Sequence, residues 1–313
     1  GSRHGAIDMT ALDEVRLPTP TCETVRNHVT SRETPVVMIF WDYDTQWGAD
    51  RSRNSRIVSD WGPREFPNTD RLLEIHARYD IPACFAVVGA AALPGARPYH
   101  DPDQVRRMHA AGHEVASHSF HHEWLPGLGR DALRATLWSS KDALEQCLGA
   151  PVTTFVPPFN QPFDHAPRWS ISLSERLTAR GDRTDVGRLC ETLGEVGYRF
   201  CRLAYRPLRD RVRDLLRRRA VYEPNALETI AGVRCVRLNT PCGFHDASRR
   251  VIEQHLDDAG YWVLYGHPHS ATDDDNPQSV RWVERTLAVL HDWRAEGRIR
   301  CVVPRDLDPG RLA

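Results

Sequence analysis

The sequence predicts an α/β fold built on a mainly parallel sheet, open or closed into a barrel. Two observations carry that expectation. Apolar strand-like runs alternate with helical periodicity almost from end to end, and the clusters of chemically active side chains sit where apolar runs stop. At 313 residues the chain is long enough to bury one large core. With 41 basic and 42 acidic residues its formal net charge is -1, which gives no sequence-wide attraction to nucleic acid or to an anionic membrane.

Residues 1–33 are polar with one amphipathic segment around Leu12 to Val25 and read as an N-terminal extension, Gly1 and Ser2 as a cloning remnant, ahead of a catalytic domain over 34–313. Val36 to Phe40 is the first strand, β-branched and apolar, after Pro35. Thr45 to Thr69 reads as a long polar loop, a lid or substrate-binding segment carrying Trp47, Trp61, Phe66, Arg51, Arg53, Arg56 and Arg64. Helix is expected over Asp70 to Tyr79 behind a Thr69 cap, then strand over Ile81 to Val88, helix over Asp103 to Ala111 and strand over Glu114 to Ser117. Asp131 to Leu148 shows the next apolar stripe, followed by the strand Val152 to Val156. Further on come the helix Leu189 to Val196, the strand Arg199 to Ala204 and an arginine-rich helix Leu208 to Arg219. Strands Val233 to Leu238, Tyr261 to Tyr265 and Ile299 to Val303 alternate with helices Ser248 to Ala259 and Pro277 to Ala295.

The chemistry centres on Ala111 to Leu125, where a short apolar run breaks into Ser117-His118-Ser119-Phe120-His121-His122. Imidazole is the commonest side-chain ligand for zinc, and His118 and His122 stand four apart, so one helical turn or a tight loop aims both at one ion. Asp42 and Asp44, two apart at the end of the first strand, share a face and supply a candidate third ligand. Pro157 to Asn160 and Gly266-His267-Pro268-His269 also follow strands, and the loops at the C-terminal ends of parallel strands build active sites. Blander readings stand beside these: two acids after a strand often make only a turn, His121 suits an outer or exposed role, His267 could cap a strand end, and Pro157 to Asn160 could only shape a loop. Trp47, Trp61, Trp124 and Trp169 are sugar-stacking faces or core. The arginines between 51 and 64 are a phosphate site or a solvated loop, the latter favoured.

Lys141 is the only lysine and no Gly-rich loop precedes it, which argues against a Schiff base or a phosphate-loop lysine. The cysteines Cys22, Cys84, Cys147, Cys190, Cys201, Cys235, Cys242 and Cys301 form no CxxC pair and read as reduced core residues of a cytosolic protein. No stretch has the length of a membrane span, and the beginning of the chain lacks a signal-peptide pattern, so a cytoplasmic location is expected.

The order of these motifs resembles the polysaccharide deacetylases of the NodB-homology type, carbohydrate esterase 4-like, over roughly Val36 to Val303. The resemblance implies a distorted or incomplete (β/α) barrel of about seven strands. It implies Asp42 as general base and Asp44, His118 and His122 as ligands of a divalent metal, zinc first, with cobalt, iron or nickel also accommodated. His267, ending the apolar run Val263-Leu264-Tyr265-Gly266, becomes the acid that protonates a leaving amine, with His269 as its substitute. The proline-rich stretch Phe155 to Phe159 matches a family motif. Pro157 and Pro158 lack N–H groups, which makes the Phe159 amide the first donor there for an oxyanion, with Asn160 and Trp47 on the substrate side.

Two departures stand out. Tyr43 separates the paired acids, and Val156 sits where many members carry the arginine that tunes the base. Either Arg168, Arg202 or Arg206 substitutes from elsewhere or Asp42 works without an arginine; without a cation Asp42 would hold its proton more tightly. The implied function is metal-dependent removal of an N-acetyl or similar N-acyl group from an amino sugar or sugar-containing metabolite, with a small-molecule or glycan substrate, no nucleic acid and no membrane span. A deformylase or other C–N hydrolase on a non-sugar substrate, and a non-catalytic ligand-binding protein, are the alternatives. An amidohydrolase reading of His267-Pro268-His269 is weaker, because that motif belongs on a first barrel strand.

Overall fold

In the computed structural model, residues 34–51, 61–163 and 183–307 are described; the expected N-terminal extension, Cys22, Arg53, Arg56, Arg168 and Trp169 lie outside them. Nine strands are present among the described residues: β1 Val36–Tyr43, β2 Cys84–Val87, β3 Glu114–Ser117, β4 Thr154–Phe155, β5 Phe200–Leu203, β6 Glu228–Ile230, β7 Val233–Arg237, β8 Tyr261–Gly266 and β9 Arg300–Cys301. Eight α-helices accompany them: α1 Thr45–Arg51, α2 Trp61–Tyr79, α3 Pro102–Ala110, α4 Arg130–Leu148, α5 Val186–Val196, α6 Leu208–Leu216, α7 Asp246–Glu253 and α8 Val280–Ala295. The strands form one curled sheet in the order β6-β7-β5-β4-β3-β2-β1-β8, with β9 paired to β1. All ladders are parallel except the β6–β7 hairpin.

This is the expected incomplete barrel, with more strands than about seven. The addition that sequence reading lacked is β6. It is joined to β7 by Ala231 and Gly232, both at positive φ (48° and 82°), the conformation of a tight hairpin turn that alanine does not advertise. The end strands β6 and β8 share no ladder among the described residues; an isolated antiparallel bridge between Asn225, just before β6, and Tyr261 of β8 crosses the gap, and side chains that follow β7 add to it. Asn239 Nδ2 donates to the Tyr261 carbonyl and Asn239 Oδ1 accepts from the Val263 amide, while Thr240 Oγ1 donates to the Val263 carbonyl.

The alternation of β1 explains the two cores. Val37, Ile39, Trp41 and Tyr43 join the larger core on the helix side. Met38 and Phe40 point into the interior with Cys84, Ala86, Ala116, Val156, Phe200, Val236, Leu238, Val263 and Tyr265. Asp42 continues the interior line of Met38 and Phe40. Because β1 runs to Tyr43 rather than stopping at Phe40, the first acid lies within the strand.

The expected loop from Thr45 to Thr69 is corrected by the structure: α1 fills its beginning, and α2 starts at Trp61 rather than Asp70. Pro63 and Pro67 hid the helical pattern. Pro63 stands in the first turn, where its missing N–H costs nothing, and only Pro67 is inside the helix. The arginine-rich helix ends at Leu216, short of Arg219. The seven described cysteines are free thiols, and no described helix is long and apolar enough to cross a membrane.

At the N-terminal ends of the strands, Glu114 accepts from Thr154 Oγ1 and from the Arg305 amide, tying the last short turn under the sheet. His76 is buried against the Trp41 indole N–H, 2.9 Å from its Nε2, and His113 Nδ1 accepts from the Ala83 amide. Burial lowers the pKa of His76 to about 3 and of His113 to about 4, whereas burial raises Glu114 to about 7. Between pH 6.5 and these lowered values the unfolded histidines bind protons that the folded ones refuse, so stability falls as pH falls. Glu114 acts oppositely, because folded Glu114 keeps a proton between pH 4.5 and 7 that the unfolded chain releases. The melting temperature of the metal-free protein is therefore expected to drop from pH 7 to pH 5, with each histidine contributing on the order of 2 kcal/mol. Glu114→Gln should steepen that drop by removing the opposing contribution; a scanning fluorimetry series at stepped pH checks both.

Candidate active site and metal centre

Four strand ends deliver the candidate residues to one mouth. His118 and His122 follow β3 on a tight loop, not a helical turn, with Ser119 (φ 60°) and His122 (φ 59°) in the left-handed region. The loop is pinned by hydrogen bonds from the Gly89 and Ala90 amides to the Ser119 and Phe120 carbonyls, and from the Glu123 amide to Ser119 Oγ. His118 Nδ1 lies 2.7 Å from the Val156 carbonyl and donates to it, which leaves Nε2 unprotonated and turned to Asp44. His118 Nε2 and His122 Nε2 stand 3.3 and 3.5 Å from Asp44 Oδ1, and all three residues are buried.

Three donor atoms within 4.8 Å of one another form a facial set, the one such group among the described residues. Asp44 Oδ1 has no hydrogen-bond partner, an orphaned buried acceptor between two imidazoles. That orphan and the N, N, O donor set fit a divalent ion of the zinc type. Burial pushes the Asp44 carboxyl up, but His122 and His118 outweigh it and hold the pKa well below the usual value. Gly48 lets α1 pack over this carboxylate, since a Cβ there would meet Asp44 Cβ at 2.5 Å.

Asp42 is paired with Arg202, one of the three arginines weighed as its cation. Arg202, inward-facing on β5 and fully buried, donates from Nη1 to Asp42 Oδ1 at 2.7 Å and from Nη2 to Oδ2 at 2.8 Å. Its guanidinium carbon lies 5.4 Å from the centre of the Phe40 ring and 5.1 Å from that of Tyr265. Burial raises the Asp42 pKa, and the Arg202 charge more than reverses this, so Asp42 is ionised below its usual range. Arg206, the other described substitute, pairs with Asp214. Asn160, expected beside substrate, directs Oδ1 to Arg202 Nη2 at 3.1 Å and braces the pair.

His267 Nε2 stands 3.9 Å from Asp42 Oδ2. Gln278 Oε1 accepts from the His267 amide at 2.6 Å and lies 3.2 Å from Nδ1, which favours the tautomer with Nε2 free. Gly266 permits this approach, because a Cβ there would sit 2.9 Å from Gln278 Oε1. His269 does not take the place of His267: it is buried, stacked on Trp61 at 4.2 Å, and its pKa is lowered to about 3 by burial and by His267. Phe159, at φ 57°, sets its ring 4.4 Å from His122 and 5.5 Å from Trp124. Trp47 is half-buried against Tyr99 and against His121, whose ring is 4.6 Å away.

Sequence reasoning missed Gln278 and Glu65. Glu65 is a fully buried carboxyl that accepts from the Thr45 amide at 2.6 Å; burial and the nearby Asp44 raise its pKa well above normal. It escaped notice inside the presumed loop, although an acid four residues after Trp61 in a proline-marked helix start was a usable signal.

Together these features define an α/β half-barrel whose mouth gathers a His-His-Asp cluster and an arginine-held acid. A model of the family described as polysaccharide deacetylase matches residues 53–170. A chitooligosaccharide deacetylase of Sinorhizobium fredii is 35% identical over 92 residues, 29% of this chain and 40% of that protein, so the match spans about two fifths of the curated relative's length. Among solved structures, a Mycobacterium smegmatis protein classed as a polysaccharide deacetylase aligns with a TM-score of 0.57 at 19% identity over 89% of this chain and 90% of its own. The Puue allantoinase aligns with a TM-score of 0.55 at 13% identity, over 89% and 90%. Likeness at these identities concerns the fold alone. Over the matched region 53–170 the chain is similar to the polysaccharide deacetylase family.

Metal-free protein is expected to take up one zinc or cobalt ion per chain in equilibrium dialysis. His118→Ala and Asp44→Asn should each weaken that uptake by about a hundredfold or more, and His267→Ala should leave it within a few-fold.

Proposed function

We propose that the protein is a metal-dependent hydrolase that removes an N-acetyl or similar N-acyl group from an amino sugar or sugar-containing metabolite. The observation that carries this reading is the placement of an ionised, arginine-held Asp42 between the Asp44-His118-His122 donor set and His267. The match to the polysaccharide deacetylase family model supports the acyl amide as the bond, and half-buried Trp47, Trp61 and Trp124 around the mouth suit the flat faces of a sugar ring.

Asp44, His118 and His122 would hold the ion. A divalent ion held there supplies Lewis acidity, drawing electron density from the acyl oxygen and acidifying a water. Asp42 takes the proton from the attacking water. Arg202 keeps this base ionised and fixed in direction, with Asn160 bracing the guanidinium. His267, directed by Gln278 through Nδ1, takes up a proton at its free Nε2 and passes it to the amine nitrogen, because an amide nitrogen does not leave as an anion. Phe159 and His122 close one wall, and Trp47 with His121 another.

Acyl release over a panel of N-acetyl and N-formyl amino sugars, with non-sugar amides alongside, tests the reading. Release of acetate from a sugar substrate that is abolished by Asp42→Asn and reduced by His267→Ala is the expected result. Release from non-sugar amides alone would move the substrate class, and metal uptake without release from any compound would favour a binding role. In Arg202→Met the burial effect on Asp42 is no longer opposed, so the acidic limb of the pH–kcat/KM profile should move upward. The same variant should lose about 3–5 kcal/mol of stability by stranding a buried carboxylate.

A further inference from the structure

We infer that Glu65 is a positioning residue for the metal site, holding the turn that carries Asp44 through a backbone hydrogen bond. The inference rests on the reading of Asp44 as a metal ligand. Asp44 stands between two incompatible elements: β1 ends at Tyr43 and α1 begins at Thr45 without any intervening loop. The reversal is made by Thr45 itself, at φ 54°, a left-handed conformation that a β-branched side chain resists. Something outside the turn must hold it there.

Glu65 does so. Its carboxyl reaches from α2 with no solvent exposure, and Oε2 accepts from the Thr45 amide at 2.6 Å, with the Asp44 amide also turned toward it. The other oxygen, Oε1, has no hydrogen-bond partner, so the side chain's one short hydrogen bond is spent on this turn. His269 Nδ1 lies 3.9 Å from Oε2, and Trp61 stacks on the far face of that imidazole, which walls the carboxyl in. From the other side the Gly48 amide donates to the Asp44 carbonyl at 3.0 Å. Asp44 is thus clamped through its backbone, leaving its side chain free to face His118 and His122. A relaxed Thr45 would swing the carboxylate out of the facial set.

Glu65→Met keeps the volume and removes the acceptor, whereas Glu65→Gln keeps both the shape and a carbonyl acceptor. Zinc and cobalt affinities of the metal-free proteins, measured by competition with a chelating dye, are expected to fall about tenfold or more in Glu65→Met and to stay within about threefold in Glu65→Gln. Thr45→Gly added to Glu65→Met should recover most of the loss, because glycine accepts the left-handed backbone unaided. Unchanged affinity in Glu65→Met, equal losses in both variants, or no recovery in the double variant would each overturn the inference. Hydrogen exchange on the unmutated metal-free protein gives a check independent of folding defects: the Thr45 amide should be protected, and exchange at the rate of an exposed loop would overturn it. Absence of any zinc site in the unmutated protein would show before a variant is made, and would take down the ligand reading and this inference together.

Discussion

The buried pair of Asp42 and Arg202 is the constraint around which the interior of the half-barrel is arranged. A charge inside a sheet is tolerable only when it is paired and hydrogen-bonded, and both oxygens of Asp42 are engaged by two guanidinium nitrogens. The neighbouring interior residues fit that demand. Cys84, Ala86, Ala116 and Val156 are small enough to leave a cross-section for the guanidinium, while Phe40 and Tyr265 offer it their rings. Val156, just past β4, is one of these apolar interior residues, and the cation that reaches Asp42 comes from the next strand, β5, as Arg202.

The two ends of the sheet serve separate purposes. At the C-terminal ends stand the positive-φ positions Thr45, Ser119, His122, Phe159 and Asn160, and the orphaned Asp44 Oδ1 and His122 Nδ1. At the N-terminal ends a hydrogen-bonded knot holds the floor, with Glu114 shared between Thr154 and the Arg305 backbone, and Arg305 returning to the carbonyls of Gly112 and His113. Such a division places the cost of the site where chemistry needs it and leaves the opposite floor to hold the fold.

Much of this was legible in the chain itself. The strands β1, β3, β5, β7 and β8 are apolar or alternating runs with clear punctuation, and Asp42, Asp44, His118, His122 and His267 were readable because each follows such a run. Arg202 could be named only as one of three arginines, because a pairing across 160 residues leaves no mark in local pattern. Gln278 was invisible for a similar reason: an amide near a helix start looks like any polar residue until Gly266 is seen to admit it. The segment from 45 to 69 misled because Pro63 and Pro67 count against helix in any propensity argument, while in α2 the first lies where a missing amide proton does no harm. The hairpin of β6 was hidden by Ala231, which occupies a backbone conformation normally reserved for glycine or asparagine.

β1 is flanked by β2 on one side and by β8 on the other, with β9 beside its first residues. During synthesis, then, the strand that holds Asp42 and leads into Asp44 is made well before β8 and waits half-paired until that strand follows. An apolar strand left open for so long is a standing target for chaperones and a seam for misassembly. Truncating the chain before β8 would therefore spoil its opening strand first, far from the cut.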